Sequence, residues 1–366
     1  MHLDIQLRLQ PSPAFIGILA ELNAQFSDWS DGSYDWAAQT TDFLHNPNPL
    51  PQLDDSLFDT PLSRRAIQDL LQLSIALFAG NFPVIRQYLQ DVRYAFVIGY
   101  PRSGGSYLTK ELLRGLGVDH KRVSETLAHD GFPELRETWF DWAGNRPYYH
   151  MQDAIFQVAE FLVISKLYFQ TKIYNGADGV GLIPKKMHKI VAWAGSFKML
   201  LGKGMADYLV TVRHPLPTAI SIFEKCGGLP QDGKFPVNNP RCAIERWTTN
   251  DLMHLGYGAE EIAEMSYFSA IYKSWVYFYM RMATGGLFLG DKSEIDILPY
   301  EADILENKVR TYRQRYGTQE SEPEAFLIHD KSLAFAEFKD EADSAVEAVR
   351  AAWKGLGLQF PDLICQ

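Results

Sequence analysis

The sequence predicts an α/β fold: a central, mostly parallel sheet flanked by helices and preceded by a helical amino-terminal extension. Three observations carry that expectation. Short apolar runs recur at 94–98, 180–184, 208–212 and 295–299, each of a length suited to a strand buried on both faces. The stretches between them place apolar residues at helical spacing, and such alternation favours parallel strands joined by crossover helices. The first run passes directly into a glycine-rich turn and then a helical stripe at Leu108, Leu112, Leu113 and Leu116, with Gly115 and Gly117 placed to end it.

Ahead of this core, Asp, Asn and Pro crowd residues 42–61, and a helical stripe follows at Ile67, Leu70, Leu71, Ile75 and Leu77. Residues 1–90 are read as an accessory cap and 91–366 as the α/β domain. A chain of 366 residues exceeds the usual domain size of roughly 100–150 residues, as that division requires. A net charge of −10 argues against broad binding to nucleic acid or to an anionic membrane, while leaving room for a local basic pocket. The amino terminus lacks the apolar core of a signal peptide, and no stretch reaches the roughly 20 apolar residues of a membrane span. A soluble cytoplasmic protein is expected.

Cys226, Cys242 and Cys365 show no C-x-x-C spacing and are odd in number, which points to neither a zinc site nor a disulfide framework and suits a reducing compartment. Residues 230–240, bounded by prolines, read as an exposed loop, either covering a ligand at the strand ends or, by preference, a plain surface connection. His120, His129 and His150 form no ligand spacing and read as ordinary residues.

The chemistry begins at the first turn. Gly99, four residues, Gly104, Gly105 and Ser106 match a nucleotide-triphosphate loop of the form G-x4-G-K-S/T, except that Gly105 stands where the lysine belongs. The cation is Arg102 instead, inside the turn. Glycines let the backbone approach an anion, and the N–H groups that open the next helix bind it; the bland alternative is a tight turn with no ligand. A second candidate is Arg213, at the end of the run 208–212, with Ser221 in the helix that Pro215 opens. It is placed to grip a phosphate in the same crevice, or else to pair with a surface carboxylate. A third is Lys186 with His188, which share a face if the strand continues. A cation beside a base suits removal of an acceptor proton while charge builds on a transferring group; taken alone, a basic segment leaving a strand is the ordinary reading.

Together these elements resemble the sulfotransferases that use 3′-phosphoadenosine 5′-phosphosulfate, over about Phe96 to Asn307. Tyr100-Pro-Arg-Ser-Gly-Gly-Ser106 is similar to the family's 5′-phosphosulfate loop, with Gly105 in place of the usual Thr or Ser. Arg213, Pro215 and Ser221 match the spacing of its 3′-phosphate motif, Lys186-Met-His188 its lysine and histidine segment, and Ile297 to Asn307 its closing signature. The resemblance implies a sheet of the P-loop nucleotide-binding type. It implies donor binding by Arg102, Ser103, Gly104, Gly105, Ser106, Tyr107, Arg213 and Ser221, and catalysis by His188, Lys186 and Arg102, without metal.

Arg102 is common in the bacterial and carbohydrate-sulfating branches, where a glutamate after the first helix often serves as base. Glu125 holds that position, and His188 is preferred because its proton affinity starts near neutrality. The family's carboxy-terminal 3′-phosphate clamp is not visible around residues 329–339. The expected reaction is in-line transfer of a sulfonate to a hydroxyl or amine of a small-molecule acceptor. Aromatic residues, 13% of the chain, cluster at 132–174 and 267–279; they read mainly as helix core, with some left to receive a ring-bearing or partly apolar acceptor. Two rivals stand beside this reading: a kinase-like phosphotransferase using ATP, and a non-catalytic nucleotide-binding module.

Overall fold

The protein is described by a computed structural model covering residues 11–26, 56–118, 125–128, 132, 151–172, 179–317, 322–328 and 332–365. The amino-terminal helices are α1 (Pro13–Phe26), the single turn α2 (Ser56–Asp59), α3 (Pro61–Phe78) and α4 (Phe82–Tyr88). Then follow β1 (Val92–Gly99), α5 (Gly105–Gly115), the turn α6 (Glu125–Ala128), α7 (Met151–Lys172), β2 (Gly181–Lys186), a 3-10 segment (His188–Trp193) and α8 (Ala194–Leu201). The second half contains β3 (Ala206–Val212), α9 (Pro215–Lys225), α10 (Ala243–His254), α11 (Ala259–Glu264), α12 (Tyr267–Thr284), β4 (Ile295–Pro299) and α13 (Ala302–Tyr316). A last 3-10 segment (Ser332–Phe338) leads into α14 (Lys339–Gly355).

The four strands form one all-parallel sheet in the order β2-β1-β3-β4. Every apolar run read as a strand is one. β1 and β3 are buried along nearly their whole length, because helices cover both faces of a parallel sheet. Phe96 sits at the middle of the core, its ring 5.3 Å from Tyr94 and 5.6 Å from both Phe197 and Tyr208. α5 lies against β1, β2 and α13, while α9, α12 and α14 pack on one another. No helix among the described residues is long and apolar enough to cross a membrane.

The chain leaves β1 for β2 on one side and leaves β3 for β4 on the other. The connections therefore diverge between β1 and β3, and at such a point the carboxyl ends of the strands open a crevice. The register Gly99↔Thr211 and Val97↔Lys186 brings the ends of β1, β3 and β2 to one edge.

Local chemistry explains the helix starts. Thr60 caps α3 by accepting the Ser63 N–H at 3.1 Å, and Pro61 takes the first position, where a missing N–H costs nothing. The buried stripe of α3 is Ala66, Leu70 and Leu73, with Ser63 and Ser74 beside it. The sequence expectation is corrected here: Leu71 and Ile75 belong to an adjacent, exposed stripe, because small residues, invisible to a search for large apolar ones, let α3 lie closely against α7.

Three further expectations change. β2 ends at Lys186, and His188 opens the 3-10 segment, so Lys186 and His188 do not alternate along one strand. Residues 230–240 are no plain connection: Phe235 and Val237 are buried, and the Phe235 N–H donates to Met265 O at 3.0 Å. Cys226 and Cys242 form a disulfide, with Cα atoms 5.6 Å apart across 16 positions of sequence. They cap the end of α9 and the start of α10, a meeting that only the fold creates. The expectation of a reducing compartment loses that support.

Thiol titration of the denatured chain should find one free group, Cys365, before reduction and three after it. Loss of a cross-link closing a loop of this size should cost about 3 kcal/mol of stability; three reactive thiols before reduction would contradict the pairing.

Ser12 and Glu160 generate a second test. Ser12 Oγ accepts the Phe15 N–H at 3.2 Å, and the Ser12 N–H donates to Glu160 Oε1 at 2.6 Å, joining α1 to α7. Burial pushes the Glu160 carboxyl up from 4.5 to about 7, against the opposing pull of the Ser12 hydrogen bonds. Folding thus favours the protonated form: its contribution is complete below the unfolded value and is lost as pH rises through about 7, a change of about 3 kcal/mol. Glu160→Gln keeps an acceptor and removes the titration. In denaturant melts its stability should overtake the wild type's as pH rises through this window; parallel profiles would refute the assignment.

Candidate functional site

The turn after β1 is built on hydroxyl groups. Ser103 Oγ donates to Tyr100 O at 2.6 Å and lies 2.8 Å from Thr211 Oγ1. Tyr279, from α12, donates its hydroxyl to Thr211 O at 2.8 Å and accepts the Tyr100 N–H at 3.4 Å. Gly99 makes this knot possible, since a Cβ there would stand 2.0 Å from Thr211 Oγ1 and 2.5 Å from Ser103 Oγ. Arg102 is left-handed at φ 69°, where non-glycine residues are rare and strained. Gly104 follows at φ 94°, and a Cβ on it would meet Leu305 at 3.1 Å and Tyr300 at 3.3 Å.

This backbone carries the Arg102 side chain toward α9. Its Nε donates to Ser221 Oγ at 2.8 Å, and its carbonyl accepts from Arg213 Nη1 at 3.3 Å. Three residues singled out by sequence thus meet directly, although 111 and 119 positions separate them in the chain. Arg213 lies with its guanidinium carbon 4.1 Å from the centre of the Tyr300 ring, and its carbonyl accepts from Trp275 Nε1 at 3.1 Å. It is only 8% exposed. Burial above all, with the neighbouring Arg102, lowers its proton affinity, while Tyr300 and Glu224 act in the opposite sense, yet a guanidinium stays charged at neutral pH. Among the described residues neither Arg102 nor Arg213 has a carboxylate within 4.0 Å, and Arg213 Nε is buried with no hydrogen-bond partner.

Lys186 reaches the same loop from β2, donating from Nζ to Ser106 Oγ at 3.2 Å. Its stem passes over Gly105, where a Cβ would lie 3.6 Å from Lys186 Cε and 3.4 Å from Val97 Cγ1, ordinary contact distances. His188 is buried, with its ring 4.8 Å from that of Trp247 on α10. Tyr107 packs its ring 4.6 Å from that of Phe326 and donates to Glu324 O at 2.8 Å. Glu125 opens α6, but its side chain lies outside the described residues, as do Trp139, Phe140, Trp142, Tyr148 and Tyr149, His120, His129 and His150, and His329.

Sequence reasoning missed Thr211, Tyr279, Trp275 and Lys185. The aromatic run 267–279 is helix core, as read, but a buried Tyr or Trp must also place its polar tip; here the tips go to Thr211 O and Arg213 O. Lys185, buried beside Lys186, donates to Leu127 O at 3.0 Å and to Phe132 O, tying α6 to the end of β2.

Comparison with protein-family models, with curated proteins and with solved structures gives no match.

The two glycines separate by experiment. Gly99→Ala should lower stability by roughly 1–3 kcal/mol through overpacking, whereas Gly105→Ala, with room for its methyl at a helix start, should be neutral or raise it by up to about 1 kcal/mol. Equal thermal midpoints for the two variants would contradict this account of the turn.

Proposed function

We propose that the chain is a sulfotransferase whose crevice between β1 and β3 takes 3′-phosphoadenosine 5′-phosphosulfate and passes the sulfonate to a hydroxyl or amine of a small-molecule acceptor. One observation carries the reading: two arginines, one of them almost wholly buried, converge at the divergence of the sheet's connections, and among the described residues neither has a carboxylate within 4.0 Å. An isolated buried cation is costly. A ligand with several negative charges removes that cost, and a donor with phosphate on both sides of its ribose carries such charges. Under this reading the turn is of the P-loop nucleotide-binding type. The N–H groups at the start of α5, with Arg102, face the 5′ end, while Arg213 and Ser221 face the 3′-phosphate.

The donor supplies an activated sulfonate, and this chain's residues supply charge and proton transfer. Arg102 and Lys186 offset charge on the sulfonate and on the departing 5′-phosphate oxygen. His188 takes the acceptor's proton as the acceptor–sulfur bond forms and the bond from sulfur to the phosphate oxygen breaks; Glu125 is the alternative base. Half-buried Trp247 beside His188 favours an acceptor with a ring or an apolar part. The strand that would carry a magnesium-binding aspartate in a phosphotransferase ends instead in Arg213-His214.

Thermal shift provides the test. The chain should be stabilised by 3′,5′-adenosine bisphosphate without metal, by about 2.7 kcal/mol at a hundredfold excess over Kd, and Arg213→Met should abolish the shift without lowering the midpoint of the empty chain. Stabilisation by ATP with magnesium alone, or a shift indifferent to Arg213→Met, would overturn the proposal.

A further inference from the structure

His214 follows Arg213 and is almost fully buried, yet the reaction as proposed makes no use of it. Its ring is held at both nitrogens. Nδ1 accepts the Leu216 N–H at 3.3 Å, which makes His214 the side-chain cap of α9. Nε2 lies 2.9 Å from Asp343 Oδ1 on α14. An Nδ1 that accepts leaves the proton on Nε2, where the carboxylate receives it, so the two contacts together select one neutral tautomer. The main chain is held as firmly: His214 O accepts from Thr218 Oγ1 at 2.8 Å, and Arg213 O accepts from Trp275 Nε1 at 3.1 Å.

We propose that His214, locked in its Nε2–H tautomer by Asp343, is the positioning residue of the anion site, and that protonation of its ring releases the site. The inference rests on the reading of Arg213 and Ser221 as anion ligands. Those two residues flank the cap, one immediately before it and one in the second turn of the helix it opens. The direction in which α9 leaves β3 therefore fixes where Ser221 stands relative to Arg213, and with it the Ser221–Arg102 hydrogen bond. A protonated ring carries a donor on Nδ1, which would face the Leu216 N–H; the cap is lost, and α9 and its serine turn away from the arginines.

The charged and titratable groups that face the ring are few. α14 contributes Asp343 and Lys339, which are themselves paired. On α12, Tyr272 lies close enough to feel Asp343 and is kept neutral, chiefly by burial. Arg213, on the same loop, directs its guanidinium to Tyr300 and the Arg102 carbonyl. Burial lowers the ring's proton affinity, with Asp343 acting in the opposite sense and Lys339 in the same one. The neutral, capping form is therefore the one present at neutral pH, and the release belongs to the acid side of the ordinary histidine range.

The test is the affinity of the full chain for 3′,5′-adenosine bisphosphate, measured by titration calorimetry from about pH 5 to about pH 8 in the wild type, His214→Asn and Asp343→Asn. The ligand's own ionisation is common to all three, so the differences between profiles are read. Asn at 214 can still cap but does not titrate; the wild type should lose about tenfold more affinity than this variant on going to the acid end. Asp343→Asn leaves an acceptor for Nε2–H but removes the negative charge, and should move the acid limb to lower pH. Coincident wild-type and His214→Asn profiles would overturn the role of His214 while leaving the anion site standing. A wild type that binds nothing at any pH would overturn both. Should His214→Asn fail to fold, nitrogen NMR of the wild-type ring decides: the Nε2–H tautomer is expected at neutral pH, and an Nδ1–H or doubly protonated ring refutes the proposal.

Discussion

The contact on which the carboxyl edge of the sheet depends is the approach of β1 to β3 at Gly99 and Thr211. Without a side chain at 99, the Thr211 hydroxyl can enter the turn and meet Ser103, which bonds back to Tyr100. That knot closes residues 100–103 tightly enough to hold Arg102 in a left-handed conformation, and from there its side chain crosses to Ser221. Tyr279 bonds both strand ends at once, so the packing of α12 and the shape of the turn are one interaction.

The charges around this edge divide into two kinds. Cations with structural roles are answered: Arg313 meets Glu111 at 2.6 Å between α13 and α5, Arg93 meets Asp207 at 2.5 Å between neighbouring strands, and Lys185 spends its charge on main-chain carbonyls. Arg241 likewise lies against the fully buried Glu245 at 2.6 Å. Arg313, the other buried arginine among the described residues, has an acid of its own, whereas Arg213 lies on the face of Tyr300 and beside a second arginine. The ring quadrupole softens the cost of that placement without neutralising the charge.

Much of this was legible in the sequence, for identifiable reasons. The strands were, because a doubly covered parallel sheet demands unbroken apolar runs. Arg102, Arg213 and Ser221 were, because glycine and proline punctuate the chain beside them and reveal strand ends and helix starts. What escaped notice depends on neighbours distant in sequence. The end of β2 before His188, the plugging of Phe235 and Val237, and the meeting of Cys226 with Cys242 all follow from how α9, α10 and α12 pack, and no local periodicity encodes that. Tyr279 and Trp275 escaped for a subtler reason: periodicity reports the buried body of an aromatic side chain and is silent about its polar tip.

The covalent joint between the end of α9 and the start of α10 also alters the connectivity of the molecule. Residues 227–241 are a side branch of the load path, because any pull along the chain passes from Cys226 to Cys242 through sulfur. A protease cutting after Lys234 would open the branch and leave the two halves of the polypeptide in one piece. The helix bearing Ser221 and the helix bearing Trp247 thus stay tethered to each other whatever becomes of the loop between them.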